Sequence, residues 1–304
     1  MTSFRTIAKR AIERLAVLAR ADRLGLSARK PGDLVLAYHN VVPDAADRQG
    51  DASLHLPIAH FRRQLDLLQE WFDVVPLEEL VGPSDVAHTT RPRVALTFDD
   101  AYRGVFELAL PEMGERGLPG TVFVAPGILG DRTLWWDALG REGWGGPPPA
   151  IRAQILELGG SHESARRVAA AENLEWIEMP PVMRTVTEAE LSRAELPSYV
   201  SLGSHTWSHT SLLRLGPQDL QNELALPRAW LTTRFPERFN DVLSYPFGHC
   251  SEEVAKAAED AGYRAGMSLH AGTLPDSPSG FQLPRRNIPA GLSLDGLRLR
   301  LAWR

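Results

Sequence analysis

The sequence predicts a single α/β domain built on a parallel sheet, and three observations carry that prediction. Strand-like and helix-like segments alternate along most of the chain, the pattern left by strands joined through helical crossovers. At 304 residues, the chain has the length of one large α/β barrel domain with a single core. The residues with chemistry to offer fall just after strand-like segments, where parallel sheets collect their active groups.

Residues 34–38 are an uninterrupted apolar run and read as a buried strand. Phe61, Leu65, Leu68 and Phe72 recur at helical spacing and mark the inner face of a helix. A second strand is expected over 94–98, then a helical stretch over 102–116 that contains Pro111, then a third strand over 121–124. Residues 200–203, 242–244 and 264–268 are further strand candidates, with helices near 218–233 and 251–261 between them. Residues 294–301 follow Ser293, a residue type suited to an N-cap, and predict a closing helix. The rhythm breaks between 131 and 195, which is charged, helix-rich and carries a Gly/Pro cluster at 145–149. That stretch is expected to be an insertion, a lid or rim, within a main domain spanning 31–304. Trp135 and Trp136 at its start offer rings to a sugar, although adjacent tryptophans more often serve packing.

Composition narrows the function classes. A formal charge of −5 provides no global basic field, so nucleic acid is not an expected partner. Cys250 is the only cysteine, which excludes an intramolecular disulfide and suits a reducing compartment. Residues 1–30 scatter Arg5, Lys9, Arg10, Glu13, Arg14, Arg20, Asp22 and Arg23 among Ile7, Ile12, Leu15, Leu18 and Leu24. No apolar core of an export signal survives that interruption, and no run approaches the roughly 18 apolar residues of a membrane span. A cytoplasmic location is expected. The same segment is amphipathic, so it either packs on the domain, the commoner fate, or touches an anionic membrane peripherally.

The chemistry concentrates at strand ends. Thr97-Phe98-Asp99-Asp100 closes the second strand with two adjacent carboxylates, which alone would be read as a turn or a helix cap. Ser204-His205-Thr206-Trp207-Ser208-His209 follows another strand, and histidines four apart can reach a common ion. Together, two histidines and one aspartate make a facial set of three ligands with positions left open. Either aspartate can then bind the ion while its neighbour stays free as a base toward water, whose pKa a divalent ion lowers to about 7. Such a set suits zinc, iron, cobalt or nickel. Tyr245-Pro246-Phe247-Gly248, at the end of a further strand, offers a backbone N–H from a bent loop to a developing oxyanion. Trp207, Tyr245, Pro246 and Phe247 are the candidate substrate contacts.

Thr97-Phe98-Asp99-Asp100, His205-x-x-x-His209 and Tyr245-Pro246-Phe247-Gly248, in this order, resemble the first three motifs of the polysaccharide deacetylase (NodB-homology) family of carbohydrate esterases. The resemblance covers about residues 34–301 apart from the insertion. It implies a distorted (β/α) barrel of seven strands and removal of acetyl groups from N-acetylglucosamine-type sugars. It also implies roles: Asp99 as general base, Asp100, His205 and His209 as ligands of zinc or another divalent transition ion, and the Phe247 N–H as oxyanion donor.

Two departures from the family pattern shape the rest of the site. Many members carry an arginine before the Pro-aromatic-Gly motif to orient the base, and Ser244 stands there; Arg285, in Leu283-Pro284-Arg285, is the substitute candidate. A C-terminal Leu-His-Asp motif, whose histidine serves as acid, is imitated only partly by Leu269-His270-Ala271. Ala37-Tyr38-His39-Asn40-Val41, by contrast, is similar to the Tyr-His segment of the circularly permuted subgroup that deacetylates poly-N-acetylglucosamine. His39 is therefore the acid candidate, because histidine is the residue type suited to holding and releasing a proton near neutrality. His55, His60, His88, His162, His249 and His270 lack a partner at ligand spacing.

The expected function is metal-dependent removal of an N-acetyl group from an N-acetylated sugar or polysaccharide. A deformylase or O-deacetylase acting on a lipid- or nucleotide-linked sugar is the alternative, and a non-catalytic glycan-binding barrel a third.

Overall fold

The computed structural model describes residues 4–28, 32–46, 49–81, 91–141, 146–193, 196–275 and 280–303. Its main sheet is built from β1 (Leu34–Tyr38), with β2 (Asn40–Val42) and β3 (His55–Pro57) forming a separate small pair, then β4 (Asp73–Val74), β5 (Arg93–Phe98), β6 (Gly120–Val124), β7 (Val200–Ser204), β8 (Phe239–Ser244), β9 (Ala265–Ser268), β10 (Gly280–Pro284) and β11 (Arg286–Asn287). All pairings are parallel, in the order β10-β9-β8-β7-β6-β5-β1-β11, with β4 on the flank of β5.

The first and last places in that order belong to one continuous segment. β10 pairs with β9 and, one residue later, β11 pairs with β1. Residues 280–287 thus bridge the two sides of the sheet and nearly close it into a barrel of seven staves. Neither β10 nor β11 stands out in the sequence, because Pro284 and the two arginines that follow it break the apolar run that marks the other strands.

Strand periodicity sorts the side chains. Val35, Ala95, Phe123, Val242, Ala265, Met267 and Leu283 pack with one another inside the barrel. Their neighbours Leu34, Leu36, Tyr38, Val94, Leu96, Phe98, Val122 and Val124 join the larger core outside it. Gly203 makes room for the inward Phe123, whose ring atoms lie 2.4 Å from where a Cβ on residue 203 would sit. Following the same alternation, Thr97, Asp99 and Ser244 fall in the inward row.

The expected helix over 102–116 forms differently. Tyr102 makes a bridge to Thr185, residues Val105–Ala109 wind as a π-turn, and the α-helix covers only Leu110–Gly114. Pro111 has no N–H to donate, and the wider turn before it accommodates the ring. Elsewhere the helices match their signals: Pro217–Arg234 opens on a proline, and Glu252–Asp260 and Leu294–Ala302 are capped by Ser251 and Ser293. The described residues of 131–195 hold short helices at Trp135–Ala138, Pro149–Glu157, His162–Ala171 and Glu188–Arg193 and no strand. The helices Phe4–Leu18 and Ala21–Ala28 pack on Leu294–Ala302, which also touches the helix Ile58–Trp71. No helix among the described residues is long and apolar enough to cross a membrane.

Candidate active site

A cavity of about 260 Å³ opens where β1, β5, β7, β8 and β9 end, lined by His39, Asp99, Asp100, His205, His209 and Phe247 among others. His39, Asp99, His205 and Leu269 each stand at the first position after a strand, and Asp100, His209 and Phe247 lie farther along such loops. Asp99 continues the inward row of β5, and its amide donates to Tyr38 O, which extends the pairing with β1. Asp100 would point outward by alternation. Instead it takes φ +70°, and Ala101 takes φ +50°. This left-handed corner, costing about 1–2 kcal/mol per residue, swings the second carboxylate to the mouth of the barrel beside the first.

The two histidines sit on a loop of the same character, with Thr206 and His209 at φ +64° and +57°. Glu223, on the helix Pro217–Arg234, accepts hydrogen bonds from the Trp207 and Ser208 amides at 3.0 and 2.9 Å and from Ser208 Oγ at 2.6 Å. That carboxylate anchors the loop from behind. No local signal announces it, since Glu223 lies in an ordinary helical sequence. His205 Nδ1 donates to Ser244 O at 2.7 Å, a tautomer that leaves Nε2 bare on the cavity side.

Asp100, His205 and His209 bring one ligand atom each within 4.8 Å of one another, all buried. Their geometry fits a shared ion better than mutual hydrogen bonding. Asp100 Oδ1 lies 3.2 Å from His209 Nε2 and 3.5 Å from His205 Nε2, yet this buried oxygen receives no hydrogen bond. Atoms that approach closely without alignment are aimed at a common third point, and a buried carboxylate oxygen is costly to leave without a partner.

Asp99 is held apart from that group by Arg285. Arg285 is fully buried at the crossing from β10 to β11, and its two terminal nitrogens reach Asp99 Oδ1 and Oδ2 at 2.8 and 2.9 Å. It also donates to Thr97 Oγ1 and to Ser244 Oγ, and its guanidinium lies 5.1 Å over the Phe123 ring. Burial pushes the Asp99 carboxyl up, but the charges of Arg285, His205 and His39, with the Arg285 hydrogen bonds, outweigh it and hold the group below the usual carboxylate range. Ser244 occupies the position of the absent arginine, and its small side chain leaves the space that the Arg285 fork fills from the opposite side of the barrel.

His39 leaves the end of β1 half-buried and lines the cavity with both aspartates. Its neighbours are spoken for: Tyr38 stacks in the core, and Asn40 is fixed to Val182 O and His55. Phe247 has φ +59° and sets its ring 4.8 Å from that of His209. Tyr245 and Pro246 are buried beneath it and do not line the cavity, and Trp207 packs on Gly127 outside it. His270 and His249 are exposed, and His88 lies outside the described residues.

The helical segment that begins at Trp135 supplies one wall. Trp136 lines the cavity, its ring 4.8 Å from His209, whereas Trp135 is turned into the core and bonded to Gly160 O. Behind Trp136 lies a buried polar chain invisible to sequence spacing. Trp136 Nε1 donates to Tyr102 Oη, Tyr102 donates to Asp137, and Asp137 meets His55 Nε2 at 2.9 Å, 82 residues away. Asp51, Ser53 and Arg152 line the far side and were not legible either. Asp51 and Ser53 lie in a loop and Arg152 in the helix Pro149–Glu157, where no periodicity points to a site.

A family model described as polysaccharide deacetylase matches residues 87–266, more than half of the chain. The chain is 22% identical over 272 residues to YxkH of Bacillus subtilis (strain 168), provisionally described as a polysaccharide deacetylase, across 88% of this chain and 76% of that one. Among solved structures it is similar to the Streptococcus pyogenes deacetylase PplD in complex with acetate, with a TM-score of 0.58 at 17% identity over 88% of this chain and 97% of that one. It is likewise similar to IcaB from Ammonifex degensii, with a TM-score of 0.56 at 19% identity over 90% and 97% of the two chains. At these identities the structural likeness is one of fold.

Proposed function

Because the chain belongs to the polysaccharide deacetylase family, we propose that it hydrolyses the N-acetyl group of an N-acetylated amino sugar, free or within a polysaccharide, in a metal-dependent reaction. The observation that carries this reading is the meeting, in one cavity, of a three-residue ligand set with a separately held carboxylate and a half-buried histidine. A divalent ion held by Asp100, His205 and His209, zinc being the first candidate and cobalt, nickel or iron the others, would supply Lewis acidity to the acyl carbonyl.

The chain's own residues do the rest. Asp99, kept ionised and oriented by Arg285, takes a proton from the attacking water. The Phe247 N–H faces the oxygen on which negative charge develops. His39 hands a proton to the nitrogen as the carbon–nitrogen bond breaks, so that water and amide become acetate and amine. Trp136 and Phe247 offer flat apolar faces to the acetyl group and the ring that bears it. A glycan-binding barrel without catalysis would have no use for a buried base separate from the ligand set.

The test is acetate release from N-acetylglucosamine oligomers by the purified protein, before and after chelation and metal restoration, with Asp99→Asn alongside. Metal-restored release that disappears in Asp99→Asn is the expected result. Release that survives chelation would overturn metal dependence. No release from a protein that binds one equivalent of metal would overturn the N-acetyl oligomer substrate in favour of a lipid- or nucleotide-linked acyl sugar.

A further inference from the structure

The helix Phe4–Leu18 turns the side that bears Glu13, Ala16 and Val17 toward the domain. Glu13 accepts from Ser293 Oγ beside the closing helix, and Ala16 and Val17 are half-buried on the same side. The opposite side carries Ile7, Ile12, Leu15 and Leu18, each 57–68% exposed, and Leu24 of the next helix is 65% exposed. These are five of the ten large apolar side chains exposed among the described residues, concentrated in 18 positions. At 3.6 residues per turn, Ile7, Ala11, Ile12, Leu15 and Leu18 fall within an arc of roughly 140°. A helix that packs on a domain ordinarily buries such an arc, and an exposed one marks an interaction surface.

The charges around it point to the partner. Lys9 borders the arc on one side, and Arg10 and Arg14 on the other. Arg10 and Arg14 line, with His60 and Arg63 of the helix Ile58–Trp71, a cleft of about 230 Å³ whose one acid is Asp295, 3.8 Å from Arg14. The acids of the N-terminal helices are directed inward: Glu13 to Ser293, and Asp22, buried, to Arg298. What faces outward is therefore apolar and cationic, with exposed Arg20 and Arg23 extending the charge. Trp303, half-exposed, donates from its indole to Ala21 O at the edge of this surface, the placement that interfacial tryptophans take.

We propose that this face rests on an anionic membrane, with the apolar arc among the outer acyl carbons and Arg10, Arg14 and Arg63 on lipid phosphates. A second copy of the chain fits less well, because pairing the arcs would set cationic borders against each other. The inference is independent of the deacetylase reading, since binding is read without turnover.

The experiment is co-sedimentation of the full chain with vesicles of phosphatidylcholine alone or mixed with phosphatidylglycerol, at low and high salt. Wild type is expected on the phosphatidylglycerol vesicles, and to leave them as salt rises. Leu15→Asp with Leu18→Asp abolishes binding, and Arg10→Gln with Arg14→Gln weakens it about fivefold per charge removed. Far-UV circular dichroism of the variants stays that of the wild type. No wild-type binding at low salt, binding unchanged in both variants, or a lipid-free dimer that Leu15→Asp dissociates would each overturn the proposal.

Discussion

Arg285 and Asp99 meet through parallel contacts of 2.8 and 2.9 Å inside the barrel, 186 residues apart in sequence. The arginine sits at the seam that closes the sheet, so the same residue joins the architecture to the proposed base. A planar fork matched to both carboxylate oxygens is not replaceable by a point charge. Arg285→Lys should fold and bind metal yet lose about ten- to a hundredfold in kcat, measured by acetate release. Arg285→Ala should cost about 3–5 kcal/mol in urea unfolding, because Asp99 then stays buried without its counter-charge. Wild-type kcat in Arg285→Lys would contradict the orienting role.

His39 is expected to act on the leaving nitrogen and on nothing structural, since its side chain is the half-buried one between two pinned neighbours. His39→Ala should lower kcat by about 10²–10⁴-fold with metal stoichiometry and thermal midpoint near wild type. An amide with a better leaving group should recover part of the loss. Equal impairment on both amides would remove His39 as the acid.

Glu223 holds the loop between the two histidines by three hydrogen bonds. Glu223→Ala frees the Trp207 and Ser208 amides and loosens the spacing of the ligand atoms. Metal affinity, read by competition with a chromophoric chelator, should fall about 10–100-fold. Unchanged affinity would show that the strained loop holds itself.

Stability of the metal-free protein should fall with acid in two stages. Burial pushes His205 down to about 4 from an ordinary 6.5, with the charge of His209 acting the same way against the pull of Asp99 and Asp100. Between those values the unfolded chain binds a proton that the folded chain does not, so stability is lost as pH falls from 6.5 toward 4, by on the order of a few kcal/mol. Asp99 is held below its ordinary value, so its contribution is complete above about pH 4 and is lost as pH falls further. Urea midpoints of chelated protein, for wild type and His205→Gln, would check this; the variant should lose the first stage. A wild-type midpoint flat from pH 6.5 to 4.5 would refute it.

The sequence by itself determined six of the seven staves and the candidate residues on their ends. Apolar runs at 34–38, 94–98 and 121–124 exist because a parallel strand is buried on both faces, and that need is written locally in residue type. Asp99 and Asp100 were legible one and two residues past the run at 94–98, His205 one residue past the strand Val200–Ser204, and His209 by its spacing of four from His205. What only the tertiary structure decided is how distant segments meet. The closing strands at 280–287 carry no apolar signature, and Arg285, named by the sequence as a candidate, meets Asp99 because closure of the sheet brings it there. Glu223 behind the histidine loop, and Asp137 against His55, are likewise contacts between separate elements. Backbone periodicity encodes which way a side chain faces within its own element, but a hydrogen bond between elements depends on how those elements pack, and that information resides in no single stretch of the chain.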